Sequence, residues 1–317
     1  MKPIDLNLKV NAYVSLREAL GFRPRIEQLL LHDFVRHVEL QGAVQPIRAQ
    51  TALEWACLGK RGLEGRSHLQ RLDVVRGFLS HLRATVPETE VPDRGLVAST
   101  RRPRPYIFSP LEIEALISAA KAARRRGSLR PHTLATLIGL LASTGLRSGE
   151  ALRLTMSDVQ LNLTPPRLQI LNSKFHKSRL VPLHPTTTAM LDLYLQKRRD
   201  FHCDQTSGSF LLSHRGIPLT AISVMHWFRK TTRKLGLRSK PGGPRPVLNS
   251  LRHTFAINRI LIWYQEGANV LPLLPNLSVY MGHLRPQESY WYLSATPELL
   301  AAAADRFRVY TCAGGES

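Results

Sequence analysis

Five residues in the second half of the sequence could together carry out phosphoryl transfer. Arg147 stands where a tight turn enters a predicted helix, and Lys174 stands at the tip of a predicted hairpin. Arg252 lies in "NSLRHTFA", His283 in "YMGHL", and Tyr292 follows nine residues after His283. Phosphoryl transfer on DNA without a metal needs cations around the phosphate, an acid for the leaving oxygen and a nucleophile. These residue types supply all three.

Arg252 raises a physical question, because it interrupts the apolar helical pattern of "NSLRHTFAINRI", residues 249–260. A surface helix normally turns its charges away from its apolar stripe. A buried guanidinium needs an anionic partner to offset the loss of its hydration. We therefore expect either a carboxylate or a phosphate to meet Arg252.

The charge balance favours a polyanionic partner. The chain has 44 Lys and Arg residues against 23 Asp and Glu residues, a formal net charge of +21. Such an excess indicates binding to nucleic acid first and to an acidic membrane surface second. No apolar run approaches the length of a signal peptide core or a membrane span, so we expect a soluble, cytoplasmic protein.

The cysteines point to the same compartment. Cys57, Cys203 and Cys312 are odd in number and far apart, which argues against a disulfide framework and fits a reducing environment. "DFHCD" could suggest a metal site at His202 and Cys203, but adjacent side chains at a helix end seldom converge on one ion. We expect neither a metal nor any other cofactor.

Two domains are expected from a length of 317 residues and a hydrophobic fraction of 43%. Residues 1–92 show helical periodicity only and predict a small bundle of four or five helices. Residues 93–105 combine Pro, Gly and Ser with several arginines and predict a basic linker. Residues 106–317 are predicted to form the second domain. The start of its first helix is predicted from Ser109 as N-cap, Pro110 at the first helical position and Glu112 in a capping box.

The second domain is predicted to be mostly helical with a small β-sheet. Helical patterns recur through it, and two short extended runs, "LQIL" and "RLVPL", flank "NSKFHKS" as in a hairpin. The predicted fold class is therefore mainly α, with an all-helical N-terminal domain and a mixed, mostly helical second domain.

The order of these motifs resembles the tyrosine recombinase family, the phage integrase, Xer and Cre-like enzymes. The shared features are "TGLR" followed by Glu150, a lysine before an R-x-V-P-L run, "LRHT", a Gly-His turn, and a tyrosine nine residues later. The motifs span about residues 144–293, and the helical N-terminal region looks like the core-binding domain of that family. The continuation "YLSATPELL" is similar to recombinases of transposon-type mobile elements.

The resemblance implies a site-specific DNA recombinase or integrase that cuts and rejoins double-stranded DNA through a 3′-phosphotyrosyl intermediate. Arg147 and Arg252 would hold the scissile phosphate, Lys174 would protonate the leaving 5′ oxygen, His283 would hydrogen-bond the phosphate, and Tyr292 would be the nucleophile. No ATP or metal would be needed. Four protomers would assemble on two DNA sites, alone or with other recombinases.

Two departures from the family pattern keep other functions open. Where the family usually has a histidine three residues before Arg252, this chain has Asn249, an amide that can donate to a phosphate but cannot titrate. A catalytically weakened, DNA-binding accessory protein is therefore the main alternative, and a topoisomerase-like relaxing enzyme is a third. The stretch "ILIWYQEGANVLPLLPNLSVY", residues 260–280, looks longer than usual, and we expect its extra residues in a loop near the active site.

Three of the five site residues also have a purely structural interpretation. Arg147 could pair with Glu150 on the surface, a contact worth only about 0.3–0.5 kcal/mol. His283 could be a helix C-cap and Tyr292 a core aromatic residue. Their ordered combination makes these separate interpretations improbable together.

Neighbouring residues have supporting roles in this interpretation. His253 is expected to brace Arg252, whereas Lys177 and Arg179 are expected to contact backbone phosphates. The C-terminal segment is expected to dock on a neighbouring protomer, and its candidate contacts are apolar: Leu299, Leu300, Ala303 and Phe307.

Overall fold

A computed structural model divides the chain into two compact units, Met1–Arg102 and Pro103–Ser317. The residues it describes are 5–22, 24–42, 46–58, 66–96, 104–123, 128–171, 178–201, 208–237, 243–294, 299–301 and 303–305. The boundary between the units falls in the segment predicted to be a linker, residues 93–105, whose role stays a prediction.

The first unit is built from helices in the part that the structure describes. They are α1 (Leu6–Ala19), α2 (Arg25–Leu40), α3 (Ala49–Cys57) and α4 (Arg66–Leu82). Their apolar faces enclose one core, in which the Phe34 and Trp55 rings meet edge to face with centroids 5.3 Å apart. This arrangement is the small bundle expected from the helical periodicity.

The second unit is mostly helical as well. Its helices are α5 (Pro110–Ala122), α6 (Arg130–Thr144), α7 (Ser148–Arg153), α8 (Pro185–Asp200), α9 (Ala221–Lys234), α10 (Leu248–Gln265), α11 (Val270–Met281) and α12 (Gln287–Tyr290), followed by a 3₁₀ helix at Trp291–Ser294. α5 begins as predicted, because the Ser109 hydroxyl accepts from the Glu112 amide at 3.2 Å and the Glu112 carboxylate accepts from the Ser109 amide at 2.8 Å. None of the helices that the structure describes is long and apolar enough to cross a membrane.

A three-stranded antiparallel sheet completes the second unit. Its strands are β1 (Val159–Gln160), β2 (Arg167–Ile170) and β3 (Arg179–Pro182), in the order β1-β2-β3. β2 and β3 are the predicted hairpin strands, with Leu168 opposite Val181. β1 was not predicted, since two residues are too few to show a period. The connection between β2 and β3, residues 172–177 with Lys174 and Lys177, lies outside the described residues.

Two apolar cores lie on either side of one helix. α6 is buried on all sides in the first core, as expected of a helix that is apolar around its whole circumference. α11 and the 3₁₀ helix enclose the second core. α10 contributes Leu251 to the first core and Ala256 to the second. Its intervening residues therefore stand at the junction of the two cores.

Two expectations about the C-terminal part of the chain are wrong. Residues 260–280 form no long loop, because α10 continues to Gln265 and α11 begins at Val270. Leu299 does not serve a neighbouring protomer, because it is fully buried in the second core of its own chain. Leu300 is half exposed, and Phe307 lies outside the described residues.

Candidate active site

Arg252 is held by the ends of two helices. Its side chain, on α10, is almost fully buried, and the residue is only 4% exposed. Nη1 donates to the Gly145 carbonyl at 2.7 Å, and Nη2 donates to the Met281 carbonyl at 2.7 Å. These acceptors lie at the C-terminal ends of α6 and α11, where unpaired carbonyls carry partial negative charge. Backbone carbonyls therefore accept from both terminal nitrogens of Arg252, and the expected phosphate contact stays a prediction.

Both helix ends depend on glycine. Gly145 and Gly282 adopt the left-handed conformation, with φ of 61° and 67°, which other residues adopt only at a cost. A Cβ at Gly145 would stand 2.4 Å from Cδ1 of Phe255, and one at Gly282 would stand 2.7 Å from Nη1 of Arg179. Glycine therefore gives both the turn and the close packing that bring the helix ends to Arg252.

A buried carboxylate joins two further arginines. Glu150, whose side chain is 2% exposed, accepts from Arg147 Nη1 at 2.9 Å and from Arg179 Nη2 at 2.8 Å. Arg147 Nη2 also donates to the Gly282 carbonyl at 2.8 Å, and Arg179 Nε donates to the Tyr280 carbonyl at 2.8 Å. The Arg147–Glu150 pair is thus part of a buried network and is not a surface contact.

The network gives Arg179 a second role. Its side chain is 10% exposed and binds Glu150, which joins β3 to α7, while the expected phosphate contact stays a prediction. No local pattern in the sequence predicts the Arg179–Glu150 pair, because the two residues are 29 positions apart. We call Arg147, Glu150, Arg179 and Arg252 the arginine cluster.

The arginine cluster carries excess positive charge. Three guanidiniums and one carboxylate leave a formal charge of +2. Burial, together with repulsion from Arg147 and Arg179, lowers the pKa of Arg252 to about 10. The guanidinium is still charged at neutral pH. An anion bound beside it would offset both the burial and the repulsion.

Tyr292 lies on the 3₁₀ helix with its ring in the second core, where it is 2% exposed. His253 Nδ1 lies 3.1 Å from the Tyr292 hydroxyl oxygen. The His283 ring stacks on the Tyr292 ring with centroids 6.1 Å apart. Tyr292 is therefore a core aromatic residue whose hydroxyl also has a specific polar partner.

His253 makes contacts that its sequence position did not predict. It contacts Tyr292 through Nδ1, and its Nε2 lies 3.0 Å from the Asn249 side-chain nitrogen. Asn249 and His253 are four residues apart on α10 and so face the same side of the helix. Sequence reasoning missed this contact because it considered only the neighbouring arginine.

His283 is oriented by two serines. Its Nδ1 lies 2.7 Å from the Ser289 hydroxyl, which in turn accepts from the Ser278 hydroxyl at 2.6 Å. Its backbone amide donates to the Ser278 carbonyl at 2.9 Å. The contact with Ser289 therefore fixes the orientation of the imidazole ring.

The predicted site residues that the structure describes come together in one region. Arg147 and Arg252 donate to the adjacent carbonyls of Gly282 and Met281, and His283 is the next residue in the chain. Tyr292 lies beside His283, and its hydroxyl contacts His253, the neighbour of Arg252. Lys174 lies outside the described residues, as do His202 and Cys203. Across the described ranges no group of three or more His, Cys, Asp or Glu side chains could hold a metal ion.

Comparison with known proteins gives a consistent result. The model of the phage integrase family matches residues 107–297, more than half of the chain. A Sinorhizobium fredii protein, y4rB, provisionally named an integrase/recombinase, is 37% identical over 94% of this chain and 95% of its own length. The tyrosine recombinase XerD of Caulobacter vibrioides is 29% identical over 77% of this chain and 75% of its own length.

A solved structure extends the likeness to the fold. The Tn1549 transposon integrase, in complex with transposon right end DNA, aligns with a TM-score of 0.69 over 96% of this chain and 99% of that one, at 15% identity. This likeness confirms the mainly helical fold class with its small sheet. Together with the family match and the similarity to y4rB, it confirms the resemblance found in the sequence: this chain belongs to the phage integrase family of tyrosine recombinases.

Proposed function

We propose that the protein is a site-specific DNA recombinase that cuts and rejoins double-stranded DNA through a 3′-phosphotyrosyl intermediate on Tyr292. The observation that carries the proposal is the meeting of the buried Arg252 guanidinium and the partly buried Arg147 guanidinium with His283 and Tyr292. Cations, a hydrogen-bonding imidazole and a nucleophile are the groups that such a transfer needs.

Phosphate binding falls to the two arginines. A guanidinium presents several donors in one plane, which match two phosphate oxygens better than an ammonium does. Arg252 donates one hydrogen bond to each of two backbone carbonyls. Neither acceptor is a carboxylate, so the positive charge of Arg252 is not neutralised in these contacts. His283 adds a hydrogen bond to the phosphate, and Asn249, which is exposed, adds an uncharged donor.

The chemistry is a pair of transesterifications. The Tyr292 oxygen attacks the phosphorus, the bond to the 5′ oxygen breaks, and Lys174 gives that oxygen a proton. The 5′ hydroxyl of a second strand then attacks the phosphotyrosine, returns a proton to Lys174 and releases Tyr292. The phosphotyrosyl bond conserves the energy of the broken link, so the cycle consumes no ATP and needs no metal.

Double-stranded DNA is the partner in this proposal, and the formal charge of +21 supports it. Residues 1–92 serve as the core-binding domain, residues 93–105 as a basic linker, and residues 106–317 as the catalytic domain. The enzyme works in the cytoplasm on the DNA of a mobile element, in integration or transposition.

The assembly that we propose has four protomers on two DNA sites. A deletion that tests it must leave Leu299 in place. Because Leu299 belongs to the second core, a deletion that begins before it would damage the fold. Removing residues 301–317 should leave single-site binding intact and disrupt the pairing of two sites. Gel-shift analysis of complexes with one and two sites measures this, and unchanged pairing would refute a docking role for the segment.

The proposed chemistry is tested by trapping the covalent intermediate. Duplexes selected for binding from a random-sequence pool, each with a nick beside the cleavage position, lose the small 5′ fragment and cannot be resealed. The wild-type protein should form an adduct that survives denaturation and excess EDTA. Tyr292→Phe should form none, whereas Tyr290→Phe, a change at a nearby exposed tyrosine, should react normally. An adduct formed by Tyr292→Phe would exclude Tyr292 as nucleophile.

The accessory-protein alternative has its own test. If the wild-type protein binds DNA without cleaving it and Asn249→His restores cleavage, the chain is a binding protein with a weakened site. Cleavage by the wild-type protein removes that alternative. Relaxation of supercoiled DNA without strand exchange would instead favour a topoisomerase-like enzyme.

A further inference from the structure

We propose that His253 is the proton acceptor for Tyr292 and that Asn249 positions it, so that Asn249, His253 and Tyr292 form a relay along α10 to the nucleophile. The inference rests on the proposed function and assigns a role to His253, which the reaction described above does not use. The observations are two contacts on one imidazole, 3.1 Å from Nδ1 to the Tyr292 oxygen and 3.0 Å from Nε2 to the Asn249 amide.

The chemistry requires such a group. A phenol titrates near pH 10, so almost none of it is ionised at neutral pH. Its proton must leave as the oxygen bonds to phosphorus, and an imidazole at hydrogen-bond distance is the side chain best suited to take it. His253 stands within that distance of the Tyr292 oxygen.

Other titratable groups near Tyr292 are less suited. The Arg252 guanidinium is cationic and can only donate. His283 stacks its ring face on Tyr292, and its Nδ1 is engaged with Ser289. His253, by contrast, directs Nδ1 at the Tyr292 hydroxyl, 3.1 Å away.

Asn249 sets which nitrogen of His253 carries the proton. With its amide nitrogen against Nε2, the proton sits on Nδ1 and points at Tyr292. A half turn of the amide places Oδ1 there instead, holds the proton on Nε2 and leaves the Nδ1 lone pair facing the tyrosine hydroxyl. The same turn directs the Asn249 nitrogen away from the ring, where it can donate to a phosphate oxygen.

The proton balance closes over one cycle. During cleavage the bond from Tyr292 Oη to phosphorus forms, the bond to the 5′ oxygen breaks, and the Oη proton moves to His253 Nδ1. The imidazolium then donates from Nε2 to Asn249 Oδ1. During rejoining the phosphotyrosyl bond breaks and Nδ1 returns the proton to Oη. A base held by an amide in this way follows the general arrangement of activated nucleophiles.

The decisive variant is His253→Gln, which keeps hydrogen-bonding capacity and removes the titratable ring. The probe is the selected, nicked duplex in two forms, with an oxygen or a sulfur as the bridging 5′ atom. A sulfur leaving group needs no proton. A variant that lacks the general acid should therefore react normally on the sulfur probe, whereas a variant that lacks the general base should stay slow. Adduct formation is followed in a single turnover at saturating protein.

On the oxygen probe we expect Lys174→Ala and His253→Gln each to slow adduct formation by on the order of a hundredfold or more. On the sulfur probe Lys174→Ala should recover and His253→Gln should not. The control His226→Gln, an exposed histidine on α9, should match the wild-type protein on both probes.

A fluorinated tyrosine at position 292 separates chemistry from packing, because its phenol loses a proton more readily. It should speed the His253→Gln protein by at least tenfold relative to ordinary tyrosine, an effect that a damaged fold would not produce. Asn249→Leu should slow the reaction by roughly tenfold, and Asn258→Leu, on the same helix, should not.

Two results would overturn the relay. One is a His253→Gln protein that reacts within twofold of the wild-type rate. The other is a slow His253→Gln protein that recovers on the sulfur probe, since His253 would then act on the leaving group. If the wild-type protein itself forms no adduct, the proposed function fails first, and the relay falls with it.

Discussion

The arginine cluster and the surroundings of Tyr292 are built from different kinds of contact. Arg252 is fixed by two backbone carbonyls, and Arg147 and Arg179 share one buried carboxylate. Tyr292 is fixed by ring packing and by a contact with the imidazole of His253. The cations thus contact backbone carbonyls and a carboxylate, whereas the proposed nucleophile contacts an imidazole.

The difference separates charge placement from proton transfer. Catalytic electrostatics require positive charges that are in place before the reaction begins. A nucleophile must instead give up a proton and change its bonding. We therefore expect changes in the arginine cluster to affect both stability and rate, and changes around Tyr292 to affect mainly the rate.

Loss of the buried carboxylate should have the largest effect on stability. In Glu150→Gln the guanidiniums of Arg147 and Arg179 lose their shared negative charge inside the fold, and removing one partner of a buried pair costs about 3–5 kcal/mol. Urea unfolding followed by tryptophan fluorescence measures the change. Asp200→Asn, which breaks the exposed Lys197–Asp200 pair, should barely move the midpoint. Equal shifts for the two variants would contradict the importance of Glu150.

Arg252→Ala should have the largest effect on rate within the cluster. It removes one phosphate contact among many, so binding should weaken modestly, while loss of a transition-state donor slows reaction on the order of a hundredfold or more. Adduct formation at saturating protein is the measurement. Arg259→Ala, an exposed change on the same helix, is the matched control. A wild-type rate for Arg252→Ala would make its catalytic assignment wrong.

Gly145→Ala tests the helix end that anchors Arg252. A left-handed alanine costs about 1–2 kcal/mol, and the new methyl group would also meet Phe255. Gly236→Ala imposes the same conformation, with φ of +68°, where a Cβ meets nothing within 4 Å. Gly145→Ala should lose more stability and more of the rate of adduct formation than Gly236→Ala. The difference between the two variants measures the effect of the clash with Phe255. Identical behaviour would show that the Gly145 carbonyl tolerates displacement.

Tyr292→Phe, in the surroundings of Tyr292, should greatly lower the reaction rate and only slightly lower the stability. It should abolish the adduct and remove the hydrogen bond with His253, and one such bond contributes about 0.5–1.5 kcal/mol. The urea midpoint should therefore move less than in Glu150→Gln. A larger shift would mean that the Tyr292 hydroxyl supports the second core as strongly as Glu150 supports the cluster.

The smallest effect on the site is expected from the linker arginines. Replacing Arg101, Arg102 and Arg104 with Ala should weaken binding to all sequences equally and leave the rate on bound DNA unchanged. Each lost phosphate contact should make the slope of log affinity against log salt shallower by about 0.9. Titrations at several salt concentrations measure the slope, and an unchanged slope would exclude phosphate contacts by these residues.

Local signals in the sequence predicted the fold well. The capping box at Ser109 and Glu112 and the pairing of β2 with β3 depend on residues close in the chain, so periodicity and turn chemistry reveal them. The loop expected for the extra residues of 260–280 was wrong, because α10 and α11 take up most of that stretch. Pro272 lies in the first turn of α11, where a missing amide hydrogen costs little.

The sequence predicted which candidate residues lie together and predicted their contacts less well. Residue types at motif spacing identified Arg147, Arg252, His283 and Tyr292, and the resemblance supplied their proposed roles. The anchors of Arg252 could not be found this way, because Gly145 is 107 residues away and contributes only a backbone carbonyl. Every residue has that group, so no residue type in the sequence marks it.

The two helix ends at Arg252 make the placement of its charge insensitive to most side-chain substitutions nearby. Replacing Met281 with another apolar residue would change the packing but leave the carbonyl that accepts from Nη2. Surfaces around the site are therefore free to diverge toward new DNA sequences while the cation stays at one fixed point. For engineering, this backbone frame is the part to leave untouched when target specificity is redesigned.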